Sequence, residues 1–162
     1  MRVICLDTNI LIWGIRKEIT EEEKSKILKT RHFLDQIKTE KVIIPSIVCA
    51  ELLMKVPPEE HSLVISKFNG FMIIPVDSFV ASIFAELWYK ENLSLQDGNS
   101  LHGSFEMTKH ELKADLFILA TAISQNCNEL YTDDIKFSNL AKNHIEVKSI
   151  PSIEITQEFD FE

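Results

Sequence analysis

Residues 2–7, RVICLD, decide how the rest of the chain is interpreted. The apolar, β-branched run RVICL predicts a buried strand, and this strand ends at the polar Asp7. KVII (41–44) and ELYT (129–132) have the same short apolar character, and a helical pattern follows each of them. Strands that alternate with helices predict an α/β domain with a mainly parallel central sheet.

The remaining segments continue this alternation. Strands are predicted at 71–76 and 144–150, and the polar Gly/Ser/Asn segment at 92–107 predicts a long loop. A capping box opens at Thr20, and the helix that follows is expected to bury Ile27, Leu28, Leu34 and Ile37. The other helices are predicted to begin at Ser46, Pro58 and Asp77 and to cover 114–125 and 134–141.

The length of 162 residues suits one domain, which we place at 1–150. Residues 151–162 form an acidic C-terminal tail with four acids and no base. The whole chain has 17 Lys and Arg against 25 Asp and Glu, which gives a formal charge of −8. This balance excludes a simple basic nucleic-acid coat and an electrostatic membrane binder.

The sequence indicates a cytoplasmic protein. Its three cysteines (Cys5, Cys49 and Cys127) lack metal-site or redox spacing, so we expect free thiols in a reducing compartment. No signal-peptide pattern is present, and no stretch reaches the roughly 20 apolar residues needed to span a bilayer.

Several carboxylates stand where an apolar residue is expected. Asp7 ends the first strand, Glu51 and Asp115 are the single charges in apolar helical runs, and Asp133 and Asp134 follow ELYT. Each has a structural alternative: Asp7 as a turn cap, Asp115 at a helix start, Asp133 as a helix cap, and Glu51 at the surface. Considered together, they point to a cluster, because the ends of parallel strands meet at one edge of a sheet.

Clustered carboxylates repel one another, and a divalent cation relieves that repulsion. Mg²⁺ prefers oxygen ligands and also binds phosphate oxygens, so it would join an acidic protein to a phosphodiester. No rival chemistry has comparable support: there is no HExxH, no phosphate-binding glycine loop and no GxSxG.

Four segments, in order and spacing, resemble the motifs of PIN-domain ribonucleases, most closely the VapC-type toxins of prokaryotic toxin–antitoxin pairs. They are LDTNILI (6–12), PSIVCAELL (45–53), KADLFILATAI (113–123) and LYTDDIKF (130–137). The resemblance covers about residues 2–150 and implies a three-layer α/β/α domain with its acids at the carboxyl edge of the sheet.

Carried over onto matching positions, the resemblance assigns four catalytic acids: Asp7, Glu51, Asp115 and Asp134. The family pattern of a threonine, any residue and an acid selects Asp134 over Asp133. The supporting residues are then Asn9, Thr132 and Asp133.

The resemblance also implies metal-dependent hydrolysis of RNA. Asp7, Asp115 and Asp134 would hold one or two Mg²⁺ or Mn²⁺ ions, and Glu51 would complete the ligand shell or orient the attacking water. VapC-type proteins usually pair with a small antitoxin and form homodimers. From the clustering of bases at 16–41 alone, we expect RNA contacts at Lys24, Lys26, Lys29 and Arg31.

Three alternatives to a toxin stay open at this point. The first is a PIN nuclease that acts in RNA processing outside toxin systems. The second is a catalytically inactive PIN-like module that only binds a protein or RNA, although all four acids are present. The third is a small Mg²⁺ phosphohydrolase, which would act on phosphate esters and not on RNA.

Overall fold

A computed structural model of the chain describes residues 1–15, 20–96 and 108–152. Its strands form one sheet in the order β3-β2-β1-β4-β5, and every pair of neighbours is parallel. The predicted α/β class with a parallel sheet is confirmed. The strands are β1 (Val3–Leu6), β2 (Lys41–Pro45), β3 (Met72–Ile74), β4 (Glu129–Tyr131) and β5 (Glu146–Lys148).

Seven α-helices lie in the described ranges, and short 3₁₀ turns occur at Ile37–Thr39 and Pro58–Glu60. Side-chain caps fix several of the helix starts: Thr20 accepts a hydrogen bond from the Glu23 backbone N–H at 3.1 Å. The helices are α1 (Thr8–Ile15), α2 (Glu21–Gln36), α3 (Ser46–Leu53), α4 (His61–Ser66), α5 (Ser78–Gln96), α6 (Lys109–Ser124) and α7 (Ile135–Ala141).

The strand order places one edge of the sheet where a ligand is expected. From β1 the chain moves outward through β2 to β3, and then returns to place β4 on the other side of β1. The order therefore reverses between β1 and β4, and ligands of open parallel sheets bind beyond the carboxyl ends at such a point. Asp7 follows β1 and Thr132 follows β4, so both lie at this position.

One helix was missed, and several predicted boundaries were wrong. Helix α6 begins at Lys109, five residues before its predicted start, and the strands predicted at 71–76 and 144–150 are shorter. Helix α1 was not predicted, because its apolar run is only eight residues long and follows closely on the apolar run of the first strand. Helix α5 continues to Gln96, so residues 92–96 are helical rather than loop, in keeping with the good helix formers Leu and Gln in that stretch. The rest of the predicted loop, 97–107, lies outside the described residues, as do tail residues 153–162.

The core largely follows the predicted pattern. Ile27 and Ile37 are buried and Leu34 is partly buried, but Leu28 is 49% exposed and does not join the core. All three cysteines are free, as expected. In the ranges given above, no helix combines the length and apolarity that a membrane crossing requires.

A buried carboxylate, Glu129 on β4, ties together three strands. Lys148 on β5 contacts it at 2.5 Å, Arg2 beside β1 lies 3.3 Å away, and the Tyr131 hydroxyl donates to it at 3.1 Å. Burial alone would raise the pKa of Glu129, but the bonds from Lys148 and Tyr131 and the charge of Arg2 outweigh burial and lower it. This network holds β1, β4 and β5 together below the site.

We expect Glu129→Gln to lower the free energy of unfolding at pH 7 by about 1–3 kcal/mol, because the basic partners lose their buried counter-charge. Glu146 is the register partner of Glu129 on β5 and is exposed, so Glu146→Gln should change stability by less than about 0.5 kcal/mol. Urea denaturation measures both. Since the pKa of Glu129 is lowered, its contribution should disappear as the pH falls below about 4.5; equal effects of the two variants at pH 7 would contradict this account.

Candidate active site

Asp7 lies at the centre of the site, directly after β1, and is only 5% exposed. Its Oδ1 accepts a hydrogen bond from the Thr8 backbone N–H at 2.6 Å, and its Oδ2 accepts one from the Thr132 hydroxyl at 2.6 Å. Both carboxylate oxygens are therefore fixed by protein donors. The second bond joins the end of β1 to the end of β4.

Thr132 connects the supporting residues. Its hydroxyl oxygen accepts hydrogen bonds from Asn9 Nδ2 at 3.3 Å and from the Asp134 backbone N–H at 3.0 Å. The Asp133 backbone N–H in turn donates to Asn9 Oδ1 at 3.2 Å. The structure thus brings Asn9, Thr132 and the backbone of the Asp133–Asp134 turn into one hydrogen-bonded group around Asp7.

Glu51, on α3, is joined to the same group through a residue that the sequence analysis missed. The Thr8 hydroxyl donates a short hydrogen bond to Glu51 Oε2, while the Thr8 backbone binds Asp7. In the sequence, Thr8 stands between Asp7 and Asn9, and this position between two candidate site residues could have identified Thr8 as part of the site. The hydrogen bonds of Thr8 hold Glu51 close to Asp7, so Glu51 is not simply a surface residue.

Asp115 and Asp134 face a cleft of about 210 Å³ next to Asp7, and Glu51 lines it as well. The other lining residues are Glu111, Ala114 and Lys136. Asp115 lies well inside α6, so the alternative role at a helix start is wrong. The structure therefore brings the four predicted acids to one end of the sheet.

Asp134 also caps the helix that follows it. Its Oδ1 accepts hydrogen bonds from the backbone N–H groups of Lys136 at 2.8 Å and Phe137 at 3.1 Å, which makes it the N-cap of α7. The alternative that gave this cap to Asp133 is wrong. Asp133 instead forms an ion pair with Lys26 Nζ at 3.1 Å.

The basic residues expected to contact RNA lie on α2. Lys26 is held by Asp133 and also lies 4.5 Å from the centre of the Trp13 ring. Lys29 lines a small cleft together with Lys26 and Asp133, and Lys24 and Arg31 are exposed elsewhere on the helix. Lys26 thus pairs directly with the turn that carries Asp134.

The electrostatics of the site show strong crowding of like charges. Burial raises the pKa of Asp7 to about 6, and Glu51 and Asp134 add to the rise, although the bonds from Thr132 and Thr8 oppose it. Burial likewise raises the pKa of Asp115 to about 8, with further increases from Asp7, Asp134, Glu51 and Glu111. Perturbed carboxylates in a cleft are typical of functional sites.

The donor set fits a hard divalent cation in its chemistry. The candidate ligands are all carboxylates, and their mutual repulsion is the kind that Mg²⁺ or Mn²⁺ would relieve. Within residues 1–15, 20–96 and 108–152, however, no three acidic, histidine or cysteine side chains already converge as a formed metal site. Metal binding would therefore require the carboxylates to draw closer.

Solved structures share this fold along nearly the whole chain. VapBC2 from Rickettsia felis, solved with a fragment of promoter DNA, matches at 22% identity and a TM-score of 0.62, covering 91% of this chain and 98% of that one. DNA-bound VapBC from Salmonella typhimurium matches at 17% identity and a TM-score of 0.62, covering 93% and 100%. A toxin–antitoxin complex from Klebsiella pneumoniae matches at 17% identity and a TM-score of 0.59, covering 93% and 99%.

At such identities the likeness concerns the fold alone. Among curated proteins, none matches the chain significantly. The PIN domain family model matches residues 4–143, a range that includes all four candidate acids and the hydrogen-bonded group around Asp7. The chain belongs to the PIN-domain family.

Proposed function

We propose that this protein is a metal-dependent endoribonuclease that hydrolyses RNA phosphodiester bonds as the toxin of a VapBC-type pair. One observation carries the proposal: Asp7, Glu51, Asp115 and Asp134 gather at the carboxyl edge of the sheet, where burial and the neighbouring carboxylates raise the pKa values of Asp7 and Asp115. PIN domains are generally nucleases, and two of the solved structures that share the fold are VapBC complexes bound to DNA.

Asp7, Asp115 and Asp134 would hold one or two Mg²⁺ or Mn²⁺ ions. A bound ion would lower the pKa of a water molecule and stabilise the negative charge that develops during phosphodiester hydrolysis. The protein's own contribution is to fix the ligands. Thr132 and Thr8 orient the Asp7 carboxylate, and the bond from Thr8 holds Glu51 where it can orient the attacking water.

The other partners follow from the same proposal. RNA would reach the acids along Lys24, Lys26, Lys29 and Arg31 of α2, of which Lys26 lies against Asp133. A small antitoxin would bind the toxin and keep it inactive, and the toxin itself would form a homodimer. A gene for a small partner protein next to this gene would distinguish a toxin from a PIN nuclease of RNA processing.

The first test is cleavage of a mixed single-stranded and structured RNA pool with Mg²⁺ or Mn²⁺, in protein freed of any co-purifying partner. We expect Asp7→Asn and Asp115→Asn each to reduce the cleavage rate by about 100-fold or more, because each removes a charge from the reacting centre. EDTA should have the same effect. Asp35→Asn, an exposed acid-to-amide change on α2, serves as the control and should retain full activity.

Cleavage that survives both site variants would contradict the site assignment and indicate a contaminating nuclease. A folded wild type that binds Mn²⁺ but cuts no RNA in the pool would contradict the nuclease proposal and favour an inactive binding module. Hydrolysis of small phosphate esters without RNA cleavage would favour a phosphohydrolase.

Thr132→Val keeps the shape of the side chain but removes the hydroxyl that donates to Asp7. We expect about 1–2 kcal/mol less stability and about a tenfold lower cleavage rate, because Asp7 loses a buried hydrogen bond and its fixed orientation. Thr132→Ser should restore most of both quantities. Unchanged activity in the valine variant would show that the bond does not position Asp7.

The raised pKa values predict an unusual pH dependence of stability in metal-free protein. The folded-state pKa values of Asp7 and Asp115 lie above the unfolded value of 3.8. The contribution of these two groups to the free energy of unfolding is therefore fully present below pH 3.8, and it is lost as the pH rises through about 6 for Asp7 and about 8 for Asp115. Wild type in EDTA should therefore lose stability between pH 5 and 8.5.

Asp115→Asn isolates this effect. At pH 8.5 the variant should be about 1–3 kcal/mol more stable than wild type, and the difference should shrink steadily as the pH falls toward the unfolded pKa of 3.8. Thermal and urea unfolding across this range provide the measurement, with Asp35→Asn as the control. Parallel curves for wild type and Asp115→Asn would contradict the raised pKa of Asp115.

A further inference from the structure

The cleft that contains Glu51, Asp115 and Asp134 also contains a lysine. Among the described residues that line it, Lys136 is the single positive charge, and Glu111 is a fourth acid. An RNA phosphodiester that enters this cleft therefore meets four carboxylates. Lys136 is the lining side chain that attracts the phosphate.

The position of Lys136 is fixed by the site itself. It is the second residue of α7, and its backbone N–H donates to Asp134 Oδ1 at 2.8 Å. The next residue, Phe137, is fully buried and anchors the helix in the core. The backbone of Lys136 is thus held beside Asp134, while its side chain is exposed on the cleft side.

Glu111, in the first turn of α6, lines the same cleft. Its pKa is lowered mainly by its bonds with Thr108 and further by the charges of Lys136 and His110. Glu111 in turn contributes to the raised pKa of Asp115. Lys136 and Glu111 thus line the same cleft, and the charge of Lys136 is close enough to act on the Glu111 carboxylate.

We propose that Lys136 contacts a phosphate of the RNA strand in the cleft and thereby offsets the repulsion from the four carboxylates that line the cleft. This inference rests on the proposed ribonuclease function and names a substrate-binding residue of that same site. The motifs that revealed the acids did not single out this lysine, because a lysine early in an amphipathic helix is usually a solvated one.

A second cleft supports a path for the strand on both sides of Asp134. It is lined by Lys26, Thr132, Asp133, Asp134 and Ile135, together with residues of α7 and β5. Asp134 borders both clefts, so Lys136 lies on one side of it and Lys26 on the other. Lys26 pairs with Asp133 on one side of Asp134, and Lys136 lines the cleft that contains Asp115 on the other.

The test measures the binding of a fluorescently labelled single-stranded RNA between 50 and 300 mM KCl, in the Asp115→Asn background so that the RNA is not cut. We expect Lys136→Ala to weaken binding about 3- to 10-fold and to reduce the slope of log affinity against log salt by about 0.7, the loss of one phosphate contact. Lys136→Arg should retain the slope. Lys142→Ala, at the other end of α7, should change neither quantity.

Glu111→Gln separates a phosphate contact from a merely structural ion pair. Glutamine retains the capping box with Thr108 but removes a negative charge from the cleft. If Lys136 contacts phosphate, Glu111→Gln should tighten RNA binding, opposite in sign to Lys136→Ala. If the lysine only stabilises Glu111, both variants should lower the thermal stability and neither should change the salt slope.

The outcomes distinguish this inference from the function on which it rests. A wild type that cuts RNA, together with a Lys136→Ala variant of unchanged affinity and slope, would overturn the inference alone. An equal loss in Lys142→Ala would also overturn it, because any surface lysine would then serve. A wild type that neither cuts nor binds RNA would overturn the proposed function and this inference with it.

Discussion

The hydrogen bond from Thr132 to Asp7 is the constraint on which the site depends. It spans the two neighbouring strands between which the strand order reverses, and it provides a buried carboxylate with a donor that burial would otherwise deny it. The same hydroxyl oxygen accepts hydrogen bonds from Asn9 Nδ2 and from the Asp134 backbone N–H. One threonine therefore sets both the orientation of the central acid and the course of the turn that carries another.

The cost of this arrangement is electrostatic, and the rest of the fold offsets it. The ionised carboxylates of Asp7 and Asp115 oppose folding when no cation is present, whereas the buried apolar residues of the sheet and helices favour it. At the other end of the sheet the buried carboxylate is compensated, because Glu129 contacts two basic side chains and accepts a hydrogen bond from a hydroxyl. Among the described residues, the carboxylates with raised pKa values thus lie at the end where chemistry is proposed, and active sites commonly trade stability for activity in this way.

The sequence was informative where burial and charge conflict. Glu51 and Asp115 were recognisable because each is a lone charge in an apolar helical run, and Asp7 because it ends a strand. Features that depend on three-dimensional proximity were not recognisable. The bond from Thr8 to Glu51 joins residues 43 positions apart, and the place of Lys136 in the acidic cleft depends on how α6 and α7 face each other.

The double role of Asp134 bears on how an inactive form of this protein should be made. Its carboxylate both lines the cleft and holds the first turn of α7, so a substitution there removes a charge and loosens a helix at once. An inactive Asp134 variant could not separate lost chemistry from a displaced helix. Asp115 lies inside α6 and does not cap a helix. It is therefore the better position for a catalytically inactive variant that binds an RNA strand or a partner without cutting the RNA.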